Sequence, residues 1–408
     1  MITRSVLLAI LLVLPRALHA ADPEIRATWL TTTSSTHLSA ANLQPTMNDL
    51  RQIGLNTVYV EAFKNGYTNF PSPTLQAFTG VSSLNPSLGG RNLIAESKTA
   101  AGNANLIHGA WLEYGLAAGF GNPANPLANK MRDNGWLLRD QSGNFTNSSN
   151  GFSWMNPLVP EVRNLIKGIA IDAVTQHNLQ IIQFDDRLSW PVEFGYDDYT
   201  RARYLAETGN NLPSNPRSTA FSNWRRSKMQ AFVQELHDAI RAAKPGIVIS
   251  LAPAIQSVSR GEYLAAWSAW AATGMFDELI PQAYRSNISD FNGIWPAQIS
   301  AAGSNTDKLA GGLRILGTGA ATPWADLQQM IDQTRATGAI GHSLWFSNGV
   351  TGAGSYRDQL IAYYNVAGLG HAPHPLFIPE PASLGLLALL APLLARRNPI
   401  RVARSSIV

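Results

Sequence analysis

The stretch LQIIQFDDRLSWP, residues 179–191, decides the fold. Leu179, Ile181, Ile182 and Phe184 read as a strand buried on both faces, the pattern of a parallel sheet. Two adjacent carboxylates, Asp185 and Asp186, stand at its abrupt end. In α/β folds ligands sit beyond the C-terminal ends of such strands, so an acidic pair there points to a binding or catalytic face. Taken alone, the pair is better explained by a capped turn and one solvated aspartate. The rest of the chain has to decide.

Working outward, apolar runs alternate with helix-like segments. The strands expected are Ile25–Leu30, Thr57–Ala62, Leu106–Glu113, Leu179–Asp185, Ile247–Leu251, Glu278–Ala283, Leu309–Leu316 and His342–Phe346. The clearest helices are Pro160–His177, with Val162, Leu165, Ile166 and Ile169 at helical spacing, and Trp224–Lys244, with Phe232, Val233, Leu236 and Ile240. Tyr263–Thr273, Pro323–Thr337 and Tyr356–Val366 follow the same rule. Eight such units predict an α/β fold, a single-domain (β/α)8 TIM barrel. An open doubly wound sheet is the alternative, but no glycine-rich phosphate loop follows the first strand. The connections Lys64–Gly90 and Gly115–Val159 are long enough to be lids or binding loops.

Both ends read as targeting segments. Residues 1–20 have a signal peptide's order: Arg4, an apolar core from Val6 to Leu14, then Ala17-Leu18-His19-Ala20. The barrel is expected over 22–367 and a linker over 368–378. At the far end stand Pro379-Glu380-Pro381, an apolar run from Leu384 to Ala395, and Arg396-Arg397. The run falls short of the ~20 residues that span a bilayer. This tail resembles the PEP-CTERM sorting signal of Gram-negative bacteria. That resemblance implies export to the cell envelope or surface, an exosortase-type processing partner, and membrane contact through the tail alone.

Six of the 31 Lys and Arg lie in these ends but only one of the 27 Asp and Glu, which leaves the body with 25 basic and 26 acidic residues. The basic footprint that nucleic-acid binding requires is therefore missing from the body. Cysteine is absent, which excludes thiol chemistry and disulfides, whereas a body of this size buries enough surface to fold without them. Eleven tryptophans and a charged fraction of 14% suit a domain that handles neutral carbohydrate.

If the barrel closes, polar residues from several strand ends meet on one face. They are Glu61, Asn65 and Tyr67 from the second; Trp111, Glu113 and Tyr114 from the third; Asp185, Asp186, Arg187 and Trp190 from the fourth; Gln282 and Tyr284 from the sixth; and Trp345 from the eighth. A glycosidase needs one carboxylic acid to protonate the leaving oxygen and one carboxylate as nucleophile or base, with aromatic and amide groups to hold the sugar. Asp186, Asp185 and Glu113 are the catalytic candidates. Adjacent strand residues face opposite ways, so one of the two aspartates should face the cleft and the other should brace a neighbour.

The chain also resembles the glycosyl-hydrolase-like family 10, through "EIRATWLTT", "GYTNFPS", "AWLEYG", "QFDDRLSWPVEFGYDDYT", "WRRSKMQAFVQELHDAIRAAKP" and "LIPQAYR". The resemblance implies a TIM-barrel hydrolase of glycans, with relatives acting on bacterial cell-wall strands. By position it carries over Asp185, Asp186 and Glu113 as the acids, and places Trp154 and Asn156 at the cleft. Glu61 departs from the family pattern, which usually has a non-acidic residue there. No cofactor or metal is implied: a metal-dependent polysaccharide deacetylase would need a histidine pair at helical spacing, and the eight histidines form no H-x-x-x-H. A Ser nucleophile elbow is missing too. A non-catalytic glycan-binding barrel is the remaining alternative, and retention of all three acids argues against it.

Overall fold

The computed structural model describes residues 22–147, 150–365 and 371–378; the signal-like segment and the Pro-Glu-Pro tail lie outside them. Eight parallel strands form one sheet: β1 Ile25–Leu30, β2 Thr57–Glu61, β3 Ile107–Leu112, β4 Ile181–Asp185, β5 Val248–Ala252, β6 Glu278–Leu279, β7 Gly311–Arg314 and β8 Gly341–Trp345. Their order is β6-β5-β4-β3-β2-β1-β8-β7, each pair parallel. The remaining seam is bridged at Leu279–Leu309 and Gln282–Gly312, where Ala310 N donates to Leu279 O (2.8 Å) and Gly312 N to Pro281 O (3.1 Å). The sheet thus closes on itself as a TIM barrel, and the doubly wound alternative falls.

The helices that return the chain are α1 Leu43–Ile53, α2 Leu93–Asn103, α3 Pro160–Gln176, α4 Thr219–Ala243, α5 Trp267–Ala272, α6 Ile288–Ala302, α7 Trp324–Ala336 and α8 Arg357–Tyr364. Local chemistry sets their ends. Ser218 accepts from Phe221 N to start α4, Pro160 opens α3 where its missing N–H costs nothing, and Gly54 at φ 109° stops α1. Along α4 the expected apolar residues Phe232, Val233, Leu236 and Ile240 are all buried. Strands β1, β2, β4 and β5 are buried at every position, as strands covered by helices outside and side chains inside must be.

Three expectations need correction. The sixth strand was expected to reach Ala283 but keeps only two regular residues, because Pro281 has no N–H to give the ladder. The two long connections carry structure of their own. Phe63–Lys64 pairs with Tyr67–Thr68 and a helix covers Pro73–Thr79; in the second, Ala117–Phe120 pairs with Phe152–Trp154 beside a helix at Pro126–Asp133. Part of the stretch read as a linker packs on the barrel instead: Ala372 and His374 are buried. Glu24 N donates to Pro373 O (3.0 Å), Asn56 Nδ2 to Ala372 O (3.1 Å), and His374 Nε2 lies 2.9 Å from Glu278 Oε1. Glu278 in turn accepts from the Tyr59 hydroxyl (3.0 Å) inside the barrel. The compact unit runs to Pro375.

Candidate active site

The C-terminal ends of β2, β3 and β4 bring four carboxylates and two cations together. Asp185 ends β4 and is almost fully buried. Its Oδ2 accepts from Trp111 Nε1 (3.0 Å), and its Oδ1 from Gln282 Nε2 (3.3 Å) and the backbone N–H of Asp186. Burial pushes its pKa well above the usual carboxylate range, and the charge of Asp186 adds to this. After β4 the chain turns, with Leu188 N donating to Asp185 O (3.0 Å), so the two aspartates do not simply alternate across a strand. Asp186 projects outward and is the most open of the acids in this cluster, its side chain 20% exposed.

Arg187 joins the acids. Its Nη1 lies 3.3 Å from Asp186 Oδ1, 3.5 Å from Asp185 Oδ1 and 3.7 Å from Glu113 Oε1. The guanidinium also covers the Phe152 and Tyr114 rings at 4.6 and 5.2 Å, which fixes its plane.

Glu113, just past β3, faces a second pair. Lys64 Nζ stands 2.9 Å from Glu113 Oε2 and 2.7 Å from Glu61 Oε1. Glu61 is fully buried and accepts from Thr31 Oγ1 (2.9 Å), Thr32 N (2.8 Å) and the Thr32 hydroxyl. Burial opposes its ionisation, but hydrogen bonds from Glu113, Lys64 and Thr32 and the Lys64 charge outweigh it, so Glu61 is held below its usual range. Burial pushes Glu113 the other way, to about 8, helped by the hydrogen bond and negative charge of Glu61 and opposed by Lys64 and Arg187. Of the two coupled glutamates, Glu113 is thus the one that favours the protonated form and Glu61 the one that favours the charged form. A buried protonated carboxylic acid beside an open aspartate is the division of labour that general acid catalysis requires.

An aromatic floor lies beside the acids. Trp345, at the end of β8, stacks on Tyr284 (5.8 Å between centroids, 28°) and meets Trp29 at 5.9 Å and Trp111 at 5.8 Å. Trp29 Nε1 is tied to Gln183 Oε1 (2.6 Å), and Gln183 Nε2 to Ser250 Oγ (3.0 Å), which locks the floor to β4 and β5. Next to Lys64, Thr32, Asn65, Tyr67 and Asn85 line a groove of about 440 Å³, rich in hydroxyl and amide groups.

Of the expected substrate contacts, Asn65, Tyr67, Arg187, Gln282, Tyr284 and Trp345 do meet at this mouth. Six others are engaged by neighbours within the protein. Glu61 is sealed under Thr31 and Thr32, which bond its carboxylate, and pairs with Lys64. Trp111 lies inside the barrel and holds Asp185. Tyr114 is buried beneath Arg187. Trp154 donates to Asn150 Oδ1 (2.9 Å), Trp190 to Phe194 O (3.0 Å), and Asn156 to Asp197 Oδ1 and Thr200 Oγ1 (both 2.9 Å), so each ties a loop together. The sequence reading pairs Glu61 with Lys64 or Arg26 but missed that Lys64 also holds Glu113. It also missed Tyr263, whose pKa is raised by burial first and then by the charge of Asp186. No sequence spacing pairs residue 263 with residue 186.

The family model described as Glycosyl hydrolase-like 10 matches residues 24–312, which run from the residue before β1 into β7. This chain belongs to that family. Among curated proteins, it is 22% identical over 288 residues to "Glycosyl hydrolase DigH" of Escherichia coli (strain K12), covering 63% of this chain and 58% of that one. To "Glycosyl hydrolase YngK" of Bacillus subtilis (strain 168) it is 22% identical over 250 residues, 57% of this chain and 45% of that one. The match thus spans about half the length of these relatives. Among solved structures, the glycoside hydrolase domain of PgaB (BpsB) from Bordetella bronchiseptica superposes with a TM-score of 0.60 at 15% identity, covering 85% of this chain and 97% of that domain. The catalytic domain of β-amylase from Paenibacillus polymyxa gives 0.59 at 11% identity, over 84% and 99%. At these identities the likeness extends to the TIM-barrel fold alone. Trp345 lies beyond the family match, so the aromatic floor is completed by a strand the match does not reach.

Proposed function

We propose that this family member is an exported glycoside hydrolase that cleaves a cell-wall or extracellular polysaccharide by carboxylate acid/base catalysis. The observation that carries the reading is the convergence of Glu113, Asp185 and Asp186 on Arg187 at the barrel mouth, beside a stacked Tyr284–Trp345 pair. Glu113 donates its proton to the departing glycosidic oxygen. Asp186, the open carboxylate, acts at the anomeric carbon as nucleophile or as base toward water. Asp185 is a positioning residue that holds the turn bearing Asp186, and Arg187 steadies the charges on both sides. Trp345 and Tyr284 stack on sugar CH faces. The Pro379-Glu380-Pro381 tail supports envelope sorting by an exosortase-type partner, with the polysaccharide as the substrate.

The test is a screen for new reducing ends with purified protein on peptidoglycan, denuded glycan strands and common exopolysaccharides. Turnover by the wild type that is lost in Asp186→Asn supports the reading. Binding without turnover on every glycan would favour a non-catalytic glycan-binding barrel instead.

A further inference from the structure

The barrel mouth holds a second basic patch that the acids leave unused. Arg285, in the loop after β6, and Arg314, the last residue of β7, line a cavity of about 530 Å³ with Tyr284, Ser286 and Thr318. No carboxylate lines it, and neither arginine has an acidic partner within ion-pairing distance among the described residues. Asp326, on the nearby start of α7, accepts from Ile288 N (2.9 Å) and is not part of the lining. Arg187, by contrast, is surrounded by three acids. Arg285 uses Nη1 on Tyr284 O (2.7 Å), which leaves most of its fork open. Arg314 is braced through Thr322 Oγ1 (3.1 Å), Thr318 O (3.0 Å) and Ala320 O (2.7 Å), so its charge is fixed at the wall.

Tyr284 joins this cavity to the acids. It lines the cavity and stacks on Trp345, while burial and then the charges of Asp185 and Asp186 raise its hydroxyl well above the usual range. Tyr284 is thus shared by the cavity and the aromatic floor beside the acids. On the other side of the acids, the groove at Asn65, Tyr67 and Asn85 has Lys64 as its one cation, and Lys64 is already paired with Glu61 and Glu113. The two flanks therefore differ in kind: one offers amides and hydroxyls, the other unpaired guanidinium groups.

We infer that the Arg285–Arg314 cavity is a subsite for an acidic sugar, a unit bearing a carboxylate close to the bond that is cut. The inference rests on the glycosidase reading and narrows its substrate to a glycan with carboxylates on some of its units. The open N–H groups of Arg285 match a carboxylate in a planar, two-pronged geometry, Arg314 adds a fixed positive charge, and Ser286 and Thr318 add hydroxyls that read the sugar's own. The neutral groove takes the units on the far side of the scissile bond.

The test titrates Asp186→Asn protein with a cell-wall glycan tetrasaccharide that bears lactyl carboxylates, and with the same tetrasaccharide after carboxyl reduction. Tetragalacturonate, with its acid on the ring carbon, separates the two sources of carboxylate. The acidic form should bind about tenfold more tightly than the reduced form at low salt, as one charge-assisted contact gives. Adding Arg285→Gln should close that gap, leave binding of the reduced form unchanged, and leave the melting temperature unchanged. Arg314→Lys keeps the loop brace partly intact and should narrow the gap without closing it. Equal binding of acidic and reduced forms, or a gap that survives Arg285→Gln, would overturn the subsite while leaving glycan hydrolysis standing. Failure of every form to bind would also overturn the subsite, and turnover by the wild type on the glycan panel then judges the parent reading separately.

Discussion

Glu113 keeps its proton because of where three other side chains stand. Glu61 is pinned as an anion by two threonines and Lys64, so its charge and hydrogen bond raise Glu113, while Lys64 and Arg187 limit the rise. Glu113→Gln and Asp186→Asn should each reduce turnover by roughly 10²–10⁴-fold, as loss of a proton-transfer group or reacting carboxylate does, with melting temperatures close to wild type. Glu61→Gln removes the neighbouring charge, so Glu113 should lose its proton at lower pH and the alkaline limb of the rate profile should move down. Lys64→Met has the opposite sign and should move the limb up. Rate profiles with both limbs unmoved would show that this triad does not set the donor. The acids themselves were legible in the sequence because they follow strand ends. The setting of Glu113 was not, since it depends on a lysine from a different loop and on threonines at the end of β1.

At the scale of elements, the loop after β4 carries Asp186 and is held by a residue far along the chain. Arg225, on α4, is fully buried without a carboxylate partner within ion-pairing distance among the described residues. It donates to Val192 O (2.7 Å), Phe194 O (2.6 Å) and Pro216 O, and covers the Phe221 ring at 3.8 Å. Burial depresses its pKa to about 9, yet it remains charged at neutral pH. Arg225→Met leaves the Val192 and Pro216 carbonyls without this donor and Phe194 O with only Trp190, and should destabilise the protein by about 3 kcal/mol in chemical denaturation. A loss below ~1 kcal/mol would mean that water replaces the guanidinium there. Helix α4 itself was readable from its apolar spacing, but the role of Arg225 was not, because a charged residue on a helix looks solvated until the facing loop is known. Tryptophans misled for the same reason: Trp111, Trp154 and Trp190 have the residue type of a sugar platform and the burial of a core. Helices α1, α2 and α6 escaped the sequence reading, α6 because Pro296 sits inside it.

For the whole molecule, the base of the barrel matters as much as the mouth. Glu24 precedes β1 and accepts from Arg335 Nε (2.7 Å) and Nη2 (2.8 Å), with Arg26 beside it. Burial opposes its ionisation, but Arg335, His342 and Arg26 hold its pKa down to about 2. A pKa lowered on folding contributes stability above the unfolded value near 4.5 and loses it as pH falls toward 2. Wild type should therefore weaken steeply over that window, while Glu24→Gln should be less stable by roughly 3 kcal/mol at neutral pH and flatter below pH 4.5. Glu113 works in reverse, its folded pKa being raised, so its contribution falls as pH climbs from about 4.5 through 8. Ending the chain after residue 370 removes His374 from Glu278 and should lower the melting temperature by several degrees. The eight-fold alternation was legible because each unit carries its own period. The closing segment was not, because a Pro- and His-rich stretch has a linker's composition and only the finished barrel shows the buried glutamate it covers.

The most direct test of the central claim is the pH dependence of kcat/KM on a soluble glycan that the wild type cleaves. With Glu113 as the proton donor, the rate should fall as pH rises through about 8. Glu113→Gln should be slow at every pH and show no such limb. An alkaline limb that persists in Glu113→Gln with near-native rates below it would contradict the account.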